Sequence, residues 1–240
     1  MGMNITKLQK MIDKSKRIVF FGGAGVSTES GIPDFRSAHG LYADITAEEI
    51  LSHSYFLEHT KEFYDFYRRK MVYPQAQPNG AHRKLAQMEQ AGKLAAVITQ
   101  NIDGLHQKAG SKKVLELHGS IERNYCQTCG KFYGLSTVLQ TESIPKCSCG
   151  GVIKPDVVLY GEALDAQVIK ESIEKISDAD MLIVGGSSLT VYPAASLLQF
   201  FSGKYLVLLN KTVTKADNQA DLVLHAGIGE VMKQISISCF

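Results

Sequence analysis

The sequence predicts an α/β protein, a Rossmann-like doubly wound parallel sheet with a smaller module inserted into it. Three observations predict this. Short runs rich in Val, Ile and Leu recur along the 240 residues with helical segments between them, and they lack the strict alternation of a half-exposed sheet. The first run breaks into glycine, as a strand does ahead of a phosphate-holding turn. Two stretches interrupt the alternation, and one of them holds four of the five cysteines.

Taken in order, the start "MGMNITKLQKMIDKSK" is amphipathic and reads as an opening helix, without the apolar core and cleavage site of a secretion signal. Strands are expected at 18–21, 95–99, 113–117, 157–160, 181–184, 205–209 and 222–224. The segment "NGAHRKLAQMEQAG" predicts a helix capped by Asn79 and stopped by Gly92. "DAQVIKESIEKIS" predicts another behind an N-terminal acid. The interruptions are 41–78, aromatic and helical, and 121–154, which carries the cysteine cluster. Residues 1–40, 79–120 and 155–240 then make the large part of a single domain, and the two interruptions make the small part.

Composition narrows the function. Apolar residues make up 45% and charged residues 21%, ordinary for a folded domain. The net charge is +2 with no basic block, so no nucleic-acid partner is expected. No apolar run approaches the roughly 20 residues of a membrane span. A cytoplasmic protein without a membrane partner is the expectation, and a monomer, since no long apolar edge or heptad seam is evident.

The glycine turn, Gly23-Ala24-Gly25-Val26-Ser27-Thr28, reads G-x-G-x-x-T. The strand before it suits a pyrophosphate, although a plain strand–helix turn is the alternative. Gly31-Ile32-Pro33 stops any helix within two turns, and no second strand ending in an acid follows, which argues against a hydride-transferring dehydrogenase. Pro33 stiffens the loop so that Asp34-Phe35-Arg36 projects over the phosphate position. Arginine offers a phosphate a bidentate fork, and phenylalanine can cover a reactive ring.

Further polar clusters leave apolar strands at their carboxyl ends, where open α/β sheets hold ligands. "VITQNIDGLH" supplies Gln100, Asn101 and Asp103, suited to ribose hydroxyls and a carboxamide. "ELHGS" places His118 at a strand tip, and position makes His118 and His106 the candidates among the seven histidines. "GGSSLTVYP" and "LLN" are two more such strand ends. Convergence of all of these on one crevice is the expectation.

Cys126-x-x-Cys129 and Cys147-x-Cys149 stand seventeen residues apart, with Gly130 and Gly150 just after the pairs. That spacing points to a zinc ribbon, and four thiolates leave no open coordination position, so the metal would be structural. Cys239 is expected to be a free thiol.

"GAGVSTESGIPDFR", "TQNIDGLH", "LHGS", the paired cysteines, "VVLYGE" and "GGSSLTVYPAA" together resemble, in order and spacing, the sirtuins, NAD-dependent protein deacylases. The resemblance spans 16–228 and is to a bacterial sirtuin with little beyond the catalytic core. It implies a Rossmann-like large domain and a zinc-and-helix small domain, with NAD and acyl-lysine meeting between them. It also implies that Ala24, Thr28 and Arg36 hold the phosphates and nearby ribose, and that Phe35 covers the reactive ribose. Gln100 would touch ribose hydroxyls, and Asn101, Ile102 and Asp103 would form the nicotinamide pocket, with Asn101 beside the catalytic chemistry. Ser187, Ser188, Asn210, Lys211 and Ile228 would line the adenosine end. Val158, Gly161, Glu162, Val191 and Tyr192 would sandwich the substrate peptide as an added strand.

In the implied mechanism the acyl oxygen displaces nicotinamide. His118 then deprotonates a ribose hydroxyl, giving free lysine and O-acyl-ADP-ribose. Two departures stand out: Leu159-Tyr160 where phenylalanines are common, and Tyr64 followed by Arg68 rather than the Tyr-x-x-Arg of enzymes preferring acidic acyl groups. Deacetylation is therefore the expected activity. Desuccinylase or longer-chain deacylase, mono-ADP-ribosyltransferase and a non-catalytic NAD-binding or zinc-ribbon interaction module are the alternatives, and core packing is the plainer reading of the aromatic stripe.

Overall fold

The computed structural model describes residues 2–34 and 47–237. Among them the strands are Ile18–Gly22 (β1), Leu94–Thr99 (β2), Val114–Glu116 (β3), Gly119–Cys126 (β4), Phe132–Gly134 (β5), Ile153–Val157 (β6), Met181–Gly185 (β7), Tyr205–Leu209 (β8) and Leu222–Leu224 (β9). The helices are Gly2–Lys14 (α1), Ala47–Ile50 (α2), His53–Glu58 (α3), Thr60–Lys70 (α4), Gly80–Gln90 (α5), Leu105–Lys108 (α6), Leu135–Leu139 (α7), Ala166–Ser177 (α8) and Ile228–Lys233 (α9).

β1 is buried along its whole length, and alternate side chains serve two cores. Ile18 and Phe20 pack with residues of α1, α5 and α9, while Val19 and Phe21 pack with Ile176 of α8 and Leu197. A strand apolar on both faces belongs in the middle of a covered sheet. The main sheet accordingly runs β3-β2-β1-β7-β8-β9, with every pair parallel. This is the doubly wound 3-2-1-4-5-6 order, whose ligand crevice lies where strand order reverses. Here that point falls between the carboxyl ends of β1 and β7.

Local chemistry sets the helices. In α1, Ile5, Leu8, Met11 and Ile12 are buried, a one-sided stripe. The Asn79 side chain accepts from Ala81 N at 2.9 Å, and its backbone N–H donates to His82 Nδ1 at 3.2 Å. Its amide nitrogen also donates to Val26 O at 2.7 Å and Ser30 Oγ at 3.0 Å, tying α5 to the glycine turn. Asp165 caps α8 through Gln167 N and Val168 N, at 2.8 and 2.9 Å.

The small antiparallel sheet runs β5-β4-β6. Beside it α3 and α4 pack Phe56, Phe63, Tyr64 and Tyr67 against Ile121, Val138 and Leu159, a core apart from those of the main sheet. The expected parallel strand at 157–160 is corrected here. Only Val157 is in a strand, at the end of β6, which pairs antiparallel with β4. A short apolar run does not reveal its partner, and the cysteine-bearing segment between β4 and β6 brings these two together. No helix of the described residues is long and apolar enough to cross a membrane.

His82 and His106 are buried together, their rings 4.7 Å apart. His82 Nε2 and both ring nitrogens of His106 have no hydrogen-bond partner among the described residues. Burial, helped by the Arg83 charge, pushes His82 down to about 4, and burial and His82 push His106 well below its usual value. An unfolded imidazole titrates near 6.5, so between these values the unfolded chain binds more protons than the folded one. Stability from this pair is complete above about pH 6.5 and is lost as pH falls toward about 4. Urea unfolding between pH 7 and 4.5 should show this acid loss. His106→Leu should flatten the slope by up to about 1.4 kcal/mol per pH unit; an unchanged slope would contradict the assignment.

Candidate active site

The site forms where two backbone turns touch. After β1, Gly23 N donates to Gly185 O at 3.2 Å and Gly25 N to Gly186 O at 2.8 Å. A side chain on Gly25 would put its Cβ 2.7 Å from Gly186 Cα, and Gly186 itself has φ of 58°. Only glycine permits this approach. The chain then makes two short 3-10 turns, Ala24–Val26 and Thr28–Ser30, and stops at Gly31 in the left-handed region. Helix-directed amides and the missing side chains leave a cradle suited to a pyrophosphate.

Beyond β2, Ser27 organises the polar residues. Its hydroxyl donates to Asp103 Oδ2 at 2.6 Å and accepts from Asn101 Nδ2 at 3.1 Å. Asp103 Oδ1 accepts from Leu105 N at 2.9 Å. Burial pushes the Asp103 carboxyl up, against the lowering effect of those two hydrogen bonds. Beyond β7 and β8, Asn210 Oδ1 accepts from Ser187 N at 3.0 Å and its amide donates to Ser187 O at 2.6 Å. Gln100 Nε2 reaches Ser187 Oγ at 3.3 Å, joining the two sides.

His118 sits past the end of β3, immediately before β4 begins at Gly119. Its Nδ1 is 3.0 Å from Gln100 O. A carbonyl only accepts, so Nδ1 carries the proton and Nε2 is left as the base. Burial lowers the His118 pKa, opposed by the Gln100 hydrogen bond, so the ring is neutral at neutral pH. Val158 N donates to His118 O at 3.0 Å.

These groups border one cavity of about 730 Å³, within the size range of cofactor sites. It is lined by Ala24, Thr28, Gln100, Asn101, Ile102, Asp103, His118, Ser187, Ser188, Asn210, Lys211 and Ile228, and by Val158, Gly161, Glu162, Val191 and Tyr192. Phe35 and Arg36 lie outside the described residues, as does Cys239. His106 does not border the cavity; it is 1% exposed and packed against the His82 ring at an interplanar angle of 60°. Sequence reasoning assigned no role to Ser27, whose only signal is its place in the glycine turn. It likewise missed Leu51, Met71 and Tyr73, which line the cavity from the helical stretch. Tyr64 and Arg68 are spent on the fold. The Tyr64 hydroxyl donates to Ile153 O, and Arg68 donates to Val138 O at 2.9 Å and to Ser143 O.

The sulfurs of Cys126, Cys129, Cys147 and Cys149 all lie within 4.8 Å of one another. Three of their separations are 3.5, 3.6 and 3.5 Å. A zinc–sulfur bond of about 2.3 Å gives tetrahedral edges of about 3.8 Å, so the four thiolates suit a zinc ion with no open position. Thr128 N and the Tyr133 hydroxyl donate to Cys126 Sγ and Cys147 Sγ, at 3.4 and 3.0 Å, the kind of second layer that orients such ligands. None of the four lines the cavity.

The Sir2 family profile matches residues 23–193, most of the chain. The chain belongs to the Sir2 family. It is 56% identical over 238 residues to an NAD-dependent protein deacetylase of Clostridium acetobutylicum, covering 96% of this chain and 97% of the relative. It is 55% identical to one of Clostridium perfringens, with 98% and 99% covered. A solved Sir2 variant with a deacetylated p53 peptide and 3'-O-acetyl ADP ribose superposes with a TM-score of 0.91 at 40% identity, covering 97% of each chain. A Sir2 complex with a p53 peptide and NAD+ gives 0.86 at 40% identity, covering 96% of each.

The purified protein should carry about one zinc per chain. Cys126→Ser should lose that zinc and melt at lower temperature, read by metal analysis and a thermal scan. A zinc-free variant of unchanged stability would contradict the assignment.

Proposed function

We propose that this protein is an NAD-dependent protein-lysine deacetylase, consuming NAD to give nicotinamide, deacylated lysine and O-acyl-ADP-ribose. The observation that carries this reading is the His118 imidazole, oriented by Gln100 O, in the same cavity as the glycine turn. Relatives that share more than half of its residues are named for this activity.

Ala24 and Thr28 would hold the pyrophosphate, with Arg36 and Phe35 reaching the phosphate and ribose from the following loop. Gln100 suits ribose hydroxyls, and Asn101, Ile102 and Asp103 suit the carboxamide of nicotinamide. Ser187, Ser188, Asn210, Lys211 and Ile228 would take the adenosine end. NAD, when bound, supplies an activated glycosidic carbon with nicotinamide as leaving group. His118 Nε2 takes the proton of a ribose hydroxyl, and its lowered pKa keeps it ready as a base. The peptide would add as a strand between Val158 and Gly161 on one side and Val191 and Tyr192 on the other. It would lie between the large part (1–40, 79–120, 155–240) and the small part (41–78, 121–154), a division supported by the two sheets and the separate aromatic core. The engagement of Tyr64 and Arg68 in that core favours acetyl over succinyl groups.

Nicotinamide release from NAD should depend on an acetyl-lysine peptide and exceed release with the succinyl peptide. Transfer of label from NAD to protein would favour an ADP-ribosyltransferase instead, and no turnover would favour a binding module. His118→Ala should retain NAD binding and lose about 10²–10⁴-fold in turnover. The acid limb of the wild-type profile should lie below about pH 6.5, as a lowered imidazole pKa requires. Near-normal turnover of His118→Ala would refute the role.

A further inference from the structure

Glu162 borders the cavity, yet its carboxylate is committed within the chain. Oε2 accepts from Leu159 N at 2.8 Å and from Lys154 Nζ at 3.1 Å, and Oε1 accepts from His53 Nδ1 at 2.7 Å. Lys154 is 9% exposed, and its ammonium also donates to Val157 O at 3.0 Å and Pro155 O at 3.4 Å. Its three protons thus have three acceptors, as a buried ammonium needs. His53 opens α3, its N–H donates to Tyr160 O at 2.9 Å, and Tyr160 N donates to Leu51 O at 2.9 Å. Every one of these bonds fastens the 157–162 segment or the residues that hold it. Gly161, with φ of 89° and open space around it, lets the chain turn back so that Glu162 reaches Leu159.

We propose that Glu162, Lys154 and His53 form an ionic strut that holds residues 157–162 as a preformed edge for the incoming peptide strand. In this arrangement Glu162 is a positioning residue rather than a substrate contact, and the inference rests on the deacetylase reading above. Strand addition depends on main-chain bonds to an ordered edge. A receiving segment that must first be ordered subtracts that cost from affinity. The strut is anchored in β6 and α3 of the smaller module, whereas the proposed nucleotide residues leave β1, β2, β7 and β8. Loosening it should therefore weaken peptide and spare NAD.

The test compares steady-state constants for an acetyl-lysine peptide and for NAD in the wild type, Lys154→Met, and the double variant Lys154→Met with Glu162→Gln, which leaves no unpaired buried charge. Peptide KM should rise about 10-fold in the single variant, with NAD KM changing less than about 2-fold. The double variant should recover thermal stability relative to Lys154→Met without recovering peptide KM. Should Lys154→Met not fold, Glu162→Gln, which keeps an acceptor for Leu159 N, carries the same comparison. A lowered melting temperature with both KM values unchanged would overturn the strut. A wild type showing no peptide-dependent release would instead sink the deacetylase reading itself.

Discussion

The joint between the two sheets, Leu117-His118-Gly119, is the constraint on which the rest depends. Leu117 N still follows the ladder of the parallel sheet, bonding Thr99 O at 2.9 Å, while Gly119 already pairs with Val157 in the antiparallel sheet. His118 is the residue between, held by its ring to Gln100 O and by its carbonyl to Val158 N. Gly119 takes φ of 76°, and a Cβ there would collide with Asp156 O, so this crossing needs glycine. One short segment thereby fixes a base against the carboxyl ends of the parallel strands and against the segment proposed to receive the peptide.

The parallel sheet supplies the opposite wall through its topology. Strand order reverses between β1 and β7, so the Gly25 and Gly186 turns meet there with no side chain between them. Ser27, carried on the first turn, fastens Asn101 and Asp103 beyond β2, and Asn210 fastens Ser187 beyond β7. Most of these polar groups are satisfied before any ligand arrives, so little reorganisation is required on binding. The tetrahedral cysteine cluster serves a different end. It closes the far end of the small sheet, where Cys126, Cys147 and Ile153 are buried together apart from the aromatic core, and it does not border the cavity.

Much of this was legible in the residues. Val, Ile and Leu runs without alternation marked the parallel strands, and all but one of them sit where expected. The glycine spacing, the polar strand ends and the cysteine pairs each named their place because each depends on local chemistry. The exceptions have a common cause, since they depend on distant partners. The 157–160 run was apolar enough for any sheet, but β4 claimed its first residue. His106 followed the same polar turn as Asp103, yet its place in the first turn of α6 sets it inward against His82. Glu162 lines the cavity together with the rest of its motif, and only the bonding of its carboxylate to Lys154 and His53 went unmarked in the sequence. Ser27 gave no signal of its own, because its part depends on residues 74 and 76 positions away.

The central claim is that one cavity sets a dinucleotide's nicotinamide ribose against the His118 imidazole with the acyl-lysine alongside. A crystal structure with a non-cleavable NAD analogue and an acetyl-lysine peptide tests it most directly. The account predicts a ribose hydroxyl within about 3 Å of His118 Nε2, as a general base requires, with the carboxamide on Asn101 and Asp103 and the peptide paired along 158–161. A nicotinamide ribose seated away from His118, or a peptide bound outside the cleft between the sheets, would contradict it.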